Sequence, residues 1–423
     1  MYYRCVVKQW QAGRALDNEM VNPYRELFAA PGTRQFAVAG LLARIALPMT
    51  GIGIITMLSQ LRASYALAGA VSATFILTYA LLSPQTSRLV DRYGQSRVLP
   101  VTTAVCVIGM LVLLAASCWQ APDWILFAGA LLAGFMPSIS AMLRSRWTAI
   151  YRGQAQLSTA YSLETVLDEA TYIVGPALSV GLSVAAFPQA GPLVALGLLV
   201  LGVWALTAQR DTEPQVQLRP NGTGGAGSVI RLANVRLLTL LMVAMGVIVG
   251  TVDIVSVALS EQLGQPAAAS LVLAAYAVGS FLAGLLFGAM KWPIPLHRLL
   301  LLGGLATAIT TLPLMLATSI SALAATVFVA GLFFAPTMIV AMTLVERLVP
   351  AHQLTEGMTW LLAGLNVGVA LGAVASGQIV DDAAAPAGFA IALGAAVLVL
   401  LLTLLGYLRI RASGLFLSVS EVA

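Results

Sequence analysis

The chain has 423 residues, of which 59% are hydrophobic and 9% charged, and a formal net charge of +5. Soluble domains carry about 25% charged residues, so this composition cannot build a water-facing surface over such a length. Repeated apolar runs of roughly 20 residues, without strand-like alternation, predict a polytopic helical membrane protein and argue against a β-barrel.

The chemistry-bearing residues are few. Cys5, Cys106 and Cys118 have neither zinc spacing nor a disulfide pattern, and the two histidines, His297 and His352, fall in loops. No nucleophile–base set, metal cluster or cofactor motif can be assembled, so an enzyme is not expected.

In chain order, residues 1–19 are polar and mixed in charge and lack the apolar core of a signal peptide. They read as an extension or a misassigned start, within an N-terminal tail at 1–35. Twelve helical spans are predicted: 36–60, 66–87, 98–119, 124–143, 159–186 and 191–208, then 237–259, 268–290, 299–318, 321–344, 358–380 and 387–408. The connections are short, so neighbours should pack antiparallel. The longest interior break, 209–236, holds Arg219, Pro220 and the flexible run from Asn221 to Ser228. It separates one six-helix bundle at 36–208 from another at 237–408, and 409–423 forms a C-terminal tail.

Of the 22 Lys and Arg, all but Arg44 and Arg62 fall in tails and loops on one side of these spans. Basic loops stay in the cytoplasm, which predicts both termini inside and a multi-pass plasma membrane protein, such as one of a bacterial inner membrane. The positive charge thus reports topology and not nucleic-acid binding.

Three acids interrupt the fifth span: Glu164, Asp168 and Glu169. One charge at the bilayer centre costs about 2.5–3.5 kcal/mol on insertion scales, so they must be paired, protonated or facing water. At a rise of 1.5 Å per residue from Ser158, Glu164 lies about 9 Å deep and the other two about 15–17 Å deep. Glu164, Asp168 and Tyr172 share a face at four-residue spacing, and Glu169 is turned about 100° away. Arg44, the one basic residue inside a span, lies at a depth that allows a pair with Asp168 or Glu164. Glu169 is expected in a cavity, with a fixed pairing to Arg44 as the alternative. Asp253, near the far end of span 7, is read as a residue at a cavity mouth or as a second coupling group. Pro48 in span 1 and Gly175 and Pro176 in span 5 are candidate bending points. The glycines at 364, 368 and 372 allow close helix contact.

The halves repeat one another at an offset of 197: Gln156 meets Gln353, Ser158 meets Thr355, Glu169 meets Asn366 and Gly175 meets Gly372. A pseudo-twofold axis would set Glu169 and Asn366 across a cavity from one another.

With this 6+6 layout, two motifs carry a resemblance. The loop SRLVDRYGQSR (87–97) places Asp91, Arg92 and Gly94 in a pattern similar to the signature between spans 2 and 3 of the major facilitator superfamily. Ser87 stands at the usual first glycine, and Gln95 and Ser96 stand where basic residues are common, with Arg97 just beyond. The stretch IVGPALSVG (173–181) is similar to the glycine–proline signature of the antiporter branch, with Thr171 and Ser179 at frequent glycine positions. The resemblance implies two pseudo-symmetric bundles that rock about a central site. It assigns Asp91, Arg92, Gly94 and Arg97 to a cytoplasmic gate, which Arg144 and Arg146 join unless, with Trp147, they anchor the interface.

The expected function is secondary transport by a single chain, with protons and a small organic solute as partners, lipid as solvent and no cofactor. The glycine–proline motif points to export by antiport. Import by symport on the same fold and a non-transporting sensor or assembly protein are the alternatives.

Overall fold

The computed structural model describes residues 23–62, 64–216, 228–265, 268–290, 292–382 and 385–412. The expected extension 1–19 and most of the flexible central run lie outside the described residues. All regular structure among the described residues is helical. Short α1 (Pro23–Leu27) precedes α2 (Thr33–Arg44) and α3 (Ala46–Arg62). The rest of the first half is α4 (Tyr65–Tyr93), α5 (Gln95–Cys118), α6 (Asp123–Ala133), α7 (Ile139–Tyr151), α8 (Gln156–Ala185) and α9 (Ala190–Ala208). The second half holds α10 (Ala233–Gln262), α11 (Ala268–Ala289), α12 (Leu296–Thr311), α13 (Ile320–Leu348), α14 (Leu354–Asp382) and α15 (Phe389–Ala412).

Among the described residues, ten helical stretches are long and apolar enough to cross a membrane, with α2 and α3 counted as one. The fifth expected span, α8, has the length but carries the three acids. Large apolar side chains such as Leu81, Val101 and Trp204 point outward and are more than half exposed. In water that surface would drive aggregation; against lipid tails it is the matched solvent.

Two expected spans are not continuous. Pro48 has no N–H to offer the carbonyl of Arg44, and the first span is interrupted at Ile45, directly after Arg44. The fourth, expected as one helix over 124–143, divides at Gly134–Ser138 around Pro137 and then runs on to Tyr151. Gly134 is required there by packing: a Cβ would lie 2.5 Å from Thr78 Cβ. The break starts a new helix, α7, partway along the expected fourth span.

Residues 23–35, expected in a tail, are folded onto the bundle. Leu27 is fully buried, and the Tyr151 hydroxyl donates to its carbonyl at 2.9 Å. The end of the molecule that carries α1 is the tail end; the opposite one is the far end.

Within the second half, α10 lies along α14 at very short range. Cβ atoms at Gly250 and Gly368 would fall 2.0 and 2.1 Å from the carbonyl oxygens of Val369 and Val243. The glycine stripe of span 11 therefore serves backbone contact. In the first half Gly175 abuts Pro48, where a Cβ would be 3.0 Å from Pro48 Cγ, and the Ser179 hydroxyl donates to Met49 O at 2.8 Å. Two residues singled out separately as bending points are thus in contact. The halves meet along two equivalent seams, α4 on α14 and α8 on α11, with α13 also against α8.

Candidate functional site

The acids of α8 divide into two environments. Arg44, brought inward by the interruption after α2, donates from Nη2 to Glu164 Oε2 and from Nη1 to Asp168 Oδ1 at 3.1 Å. Trp147 Nε1 donates to Glu164 Oε1 at 2.7 Å. Asp168 also accepts from Arg144 Nη2 at 2.9 Å and from Ser140 Oγ at 2.5 Å. Ser140 lies in the first turn of α7, so the helix break presents a positive helix end to this carboxylate. Two arginines meet two carboxylates, and the cluster is neutral. Glu164 and Arg144 are fully buried and the Asp168 side chain is 15% exposed. Buried charges of this kind persist when paired and hydrogen-bonded.

Glu169 faces the other way, onto the second half, where Ser280 Oγ of α11 donates to its Oε1 at 3.3 Å. No arginine or lysine is paired with it among the described residues. Tyr172, one turn beyond Glu169 on α8, is 48% exposed although it sits mid-helix, as a side chain facing a cleft would be.

Below this level the tail end is shut. Asp91, at the end of α4, accepts backbone N–H groups of Thr355 at 3.2 Å and Glu356 at 2.8 Å. These are in the first turn of α14, where unpaired amides and the helix dipole favour an anion. One turn deeper on each helix, Ser87 and Thr359 share a hydrogen bond of 2.7 Å. Arg88 approaches Glu356 at 3.9 Å and Arg152 approaches Glu346 at 3.5 Å. Tyr24 donates to Leu285 O and Thr159 to Gly288 O, again across the halves. The Tyr24 phenol, pushed up to about 12 by burial, remains a donor.

The sequence model of the Major Facilitator Superfamily matches residues 36–256 and again 237–416, which together span nearly all the described chain. The chain belongs to the major facilitator superfamily. It is a membrane transporter built from two six-helix bundles. Three solved structures share this superfamily transporter's fold. A bacterial homologue of the iron transporter ferroportin, in an outward-facing state, has a TM-score of 0.73 at 15% identity and covers 89% of this chain and 99% of its own. The human organic anion transporter MFSD10 (TETRAN) gives 0.67 at 15% identity, covering 88% and 100%. FucP, a major facilitator superfamily transporter in the outward conformation, gives 0.65 at 13% identity, covering 88% and 98%. No curated protein matches the chain.

Several residues of this transporter lie elsewhere than the sequence reading placed them. Arg144, expected at the gate, is fully buried and paired with Asp168, on a helix, α7, that runs eight residues past the expected boundary at 143. Arg146 binds Gln95 and the Leu206 carbonyl of the first half, and the Gln209 carbonyl and Thr212 at the start of the central loop, and pairs with no residue of the second half among the described residues. Trp147 is fully buried against Phe36 and Tyr151, neither a gate residue nor an interfacial anchor. Arg92 and Arg97 are exposed at the tail end, Arg92 over the Tyr93 ring, and neither reaches the second half. Gly94 has φ 91° and ends α4, and Glu213 Oε1 accepts Ser96 N beside it. Asn366 lies on α14, which packs across the halves on α4 and α7, whereas Glu169 lies on α8, which packs on α11 and α13. Pro176 sits within continuous α8.

Sequence reasoning missed Glu346 and Glu356. Glu356 is buried and accepts from Ser228 Oγ and from Val229 N at 3.2 Å, tying the end of the central loop to the gate. The available signal was charge complementarity: each acid ends or begins a span opposite the basic loops of the first half.

Proposed function

We propose that this transporter exports a small organic solute in exchange for protons, with Glu169 as the proton-carrying group. One observation carries the assignment. Glu164 and Asp168 are matched by Arg44 and Arg144, whereas Glu169 has no cationic partner among the described residues and is held at 3.3 Å by a serine of the opposite half. An unpaired carboxylate in a low-dielectric seam changes that seam's energy when it gains a proton. The matched acids, buried and charge-balanced, act instead as fixed joints between α2, α7 and α8.

The same reading gives the cycle. With the tail end cytoplasmic, the described state has its cytoplasmic gate shut. Opening that gate pulls α8 from α11, which breaks the Glu169–Ser280 contact and exposes the carboxylate to cytoplasmic water. The membrane potential contributes about 2.3 kcal/mol per charge per 100 mV to a proton moved inward.

The test is solute-driven proton movement in proteoliposomes. Glu169→Gln is expected to abolish coupling while the protein remains folded and monodisperse. Normal proton-coupled transport by that variant rejects the assignment. Everted against right-side-out vesicles separates export from import by the direction in which a proton gradient drives uptake.

A further inference from the structure

The internal repeat relates the two seams of the tail end, and they close differently. At the first seam Ser87 of α4 meets Thr359 of α14, and Asp91, one turn on, accepts the backbone N–H groups of Thr355 and Glu356. The repeat carries Thr359 to Ser162. At the second seam Ser162 lies against Gly288 of α11, where a Cβ would fall 2.3 Å from Ser162 Cβ. Gly288 therefore occupies the place of Ser87. The residue one turn beyond it, in the place of Asp91, is Trp292 and not an acid. Its Nε1 already donates to Phe287 O at 3.1 Å, and its ring stacks on Phe287 at 5.0 Å between centroids. An indole has no acceptor to offer the first turn of α8, so the second seam lacks the bond that Asp91 makes at the first.

What holds the second seam has the opposite polarity. The last turns of α11 present carbonyls, the negative end of that helix. Thr159 of α8 donates from Oγ1 to Gly288 O at 2.7 Å, and the Tyr24 hydroxyl donates to Leu285 O at 2.6 Å. Thr159 belongs to the first bundle, but Tyr24 comes from α1, ahead of it in the chain. The segment around α1 is fixed to the first half. Leu27 is fully buried, its carbonyl accepts from the Tyr151 hydroxyl at 2.9 Å, and Phe28 meets Trp147 edge-on with ring centroids 6.1 Å apart. Toward the second half it is packed less closely. A cavity of about 150 Å³ adjoins Thr159 and Gly288 and is walled by Glu26 of α1 and by Leu296, Val340 and Thr343 of the second half. Tyr24 thus reaches α11 beside a void, and its bond can break without pulling apart a packed core.

We propose that the segment from Tyr24 to Phe28 is a strap that latches the second seam through Tyr24, supplying from outside the bundle the hold that Asp91 gives at the first. The strap rides on the first half and releases α11 each time the tail end opens. Both latches satisfy the end of a helix in the second half with a side chain from the first. Both are therefore broken by a small separation of the halves and remade when they return. Tyr24 acts as a positioning residue of the gate and does not touch the solute. The proposal goes beyond the transport reading, since it holds for either direction of transport and for any role of Glu169.

The test measures distances between spin labels, taken two at a time, on the purified full-length protein in a Cys5→Ser, Cys118→Ser background. Arg25 on the strap, Arg97 on the first half and Arg298 on the second are exposed sites for the labels. Tyr24→Phe keeps the ring and removes one hydroxyl. It is expected to raise the ratio of open to shut tail ends, read between Arg97 and Arg298, about fivefold, as the loss of one hydrogen bond would. In the open molecules the distance from Arg25 to Arg298 should lengthen, and that from Arg25 to Arg97 should stay as it was. An unchanged ratio in Tyr24→Phe overturns the latch. So does a strap that stays with the second half, lengthening Arg25 to Arg97 instead. Should Tyr24→Phe not fold, Asp91→Asn loosens the first seam and supplies open molecules in which the same two strap distances decide. No solute or proton gradient enters the measurement, so its failure leaves the assignment of Glu169 standing, and failure of that assignment leaves the strap.

Discussion

Glu356 donates its backbone N–H to Asp91 Oδ2 at 2.8 Å, although the two residues belong to different halves and both carry acids. The contact works because Asp91 meets the start of α14, where the helix presents free amides, while the Glu356 carboxylate turns toward Ser228, Val229 and Arg88. Asp91→Asn keeps the shape and removes the charge. The loss is expected to be about 1–2 kcal/mol, or roughly five- to thirtyfold in the population of the shut tail end. Spin labels at Arg97 and Arg298, exposed at the tail end of opposite halves, should then report a larger share of long distances. An unchanged distance distribution would show that Asp91 does not hold the gate.

Arg44→Met strands Glu164 with Trp147 as its remaining side-chain donor and leaves Asp168 to Arg144 and Ser140. Breaking a buried pair from one side costs about 3–5 kcal/mol, so the variant should unfold at markedly lower temperature or denaturant. Adding Glu164→Gln restores neutrality and keeps an acceptor for Trp147. The double variant should recover more than half of the loss. If it is no more stable than the single one, the cluster is not held by charge balance.

Much of the fold was legible because lipid makes it so: a span must be apolar over about 20 residues, and the runs in this chain are. The breaks were harder. Pro48 declared the interruption after Arg44, but Pro137 lay inside an apolar run where the segments on either side are as oily as a continuous helix. The site was legible in its acids and illegible in its partners. Asp91 belongs to a recognisable loop, yet it binds backbone amides, which have no sequence signature. Glu169 and Asn366 are related by the internal repeat, but the pseudo-twofold pairs α8 with α11 and α4 with α14. Repeat-related residues therefore face different seams. Arg144 was misplaced because hydropathy ends a span where charges begin, whereas a charge matched by Asp168 can sit deeper.

The glycines offer a matched pair of opposite sign. A Cβ at Gly250 would lie 2.0 Å from the Val369 carbonyl oxygen, which is backbone and cannot yield cheaply. Gly250→Ala is expected to destabilise by about 1–3 kcal/mol or to force α10 from α14. Gly181, in α8, has no atom within 4 Å of the same position. Gly181→Ala should be neutral or stabilise by up to about 1 kcal/mol, since glycine disfavours helix interiors. Thermal unfolding of both variants checks the pair; equal effects would mean that α10 and α14 are not in backbone contact.

Orientation can be read from a cysteine already present. Cys118 ends α5 at the far end and is exposed, whereas Cys106, earlier on the same helix, is fully buried. The basic loops lie at the opposite end, which by the positive-inside bias faces the cytoplasm. In a Cys5→Ser background, a membrane-impermeant maleimide should therefore label Cys118 in intact cells, and Cys118→Ser should remove the signal. Everted vesicles should leave Cys118 unlabelled while a cysteine placed at Arg92 reacts. The reverse pattern would put the shut gate outside, turn the described state into an inward-facing one, and exchange export for import in the cycle proposed for Glu169.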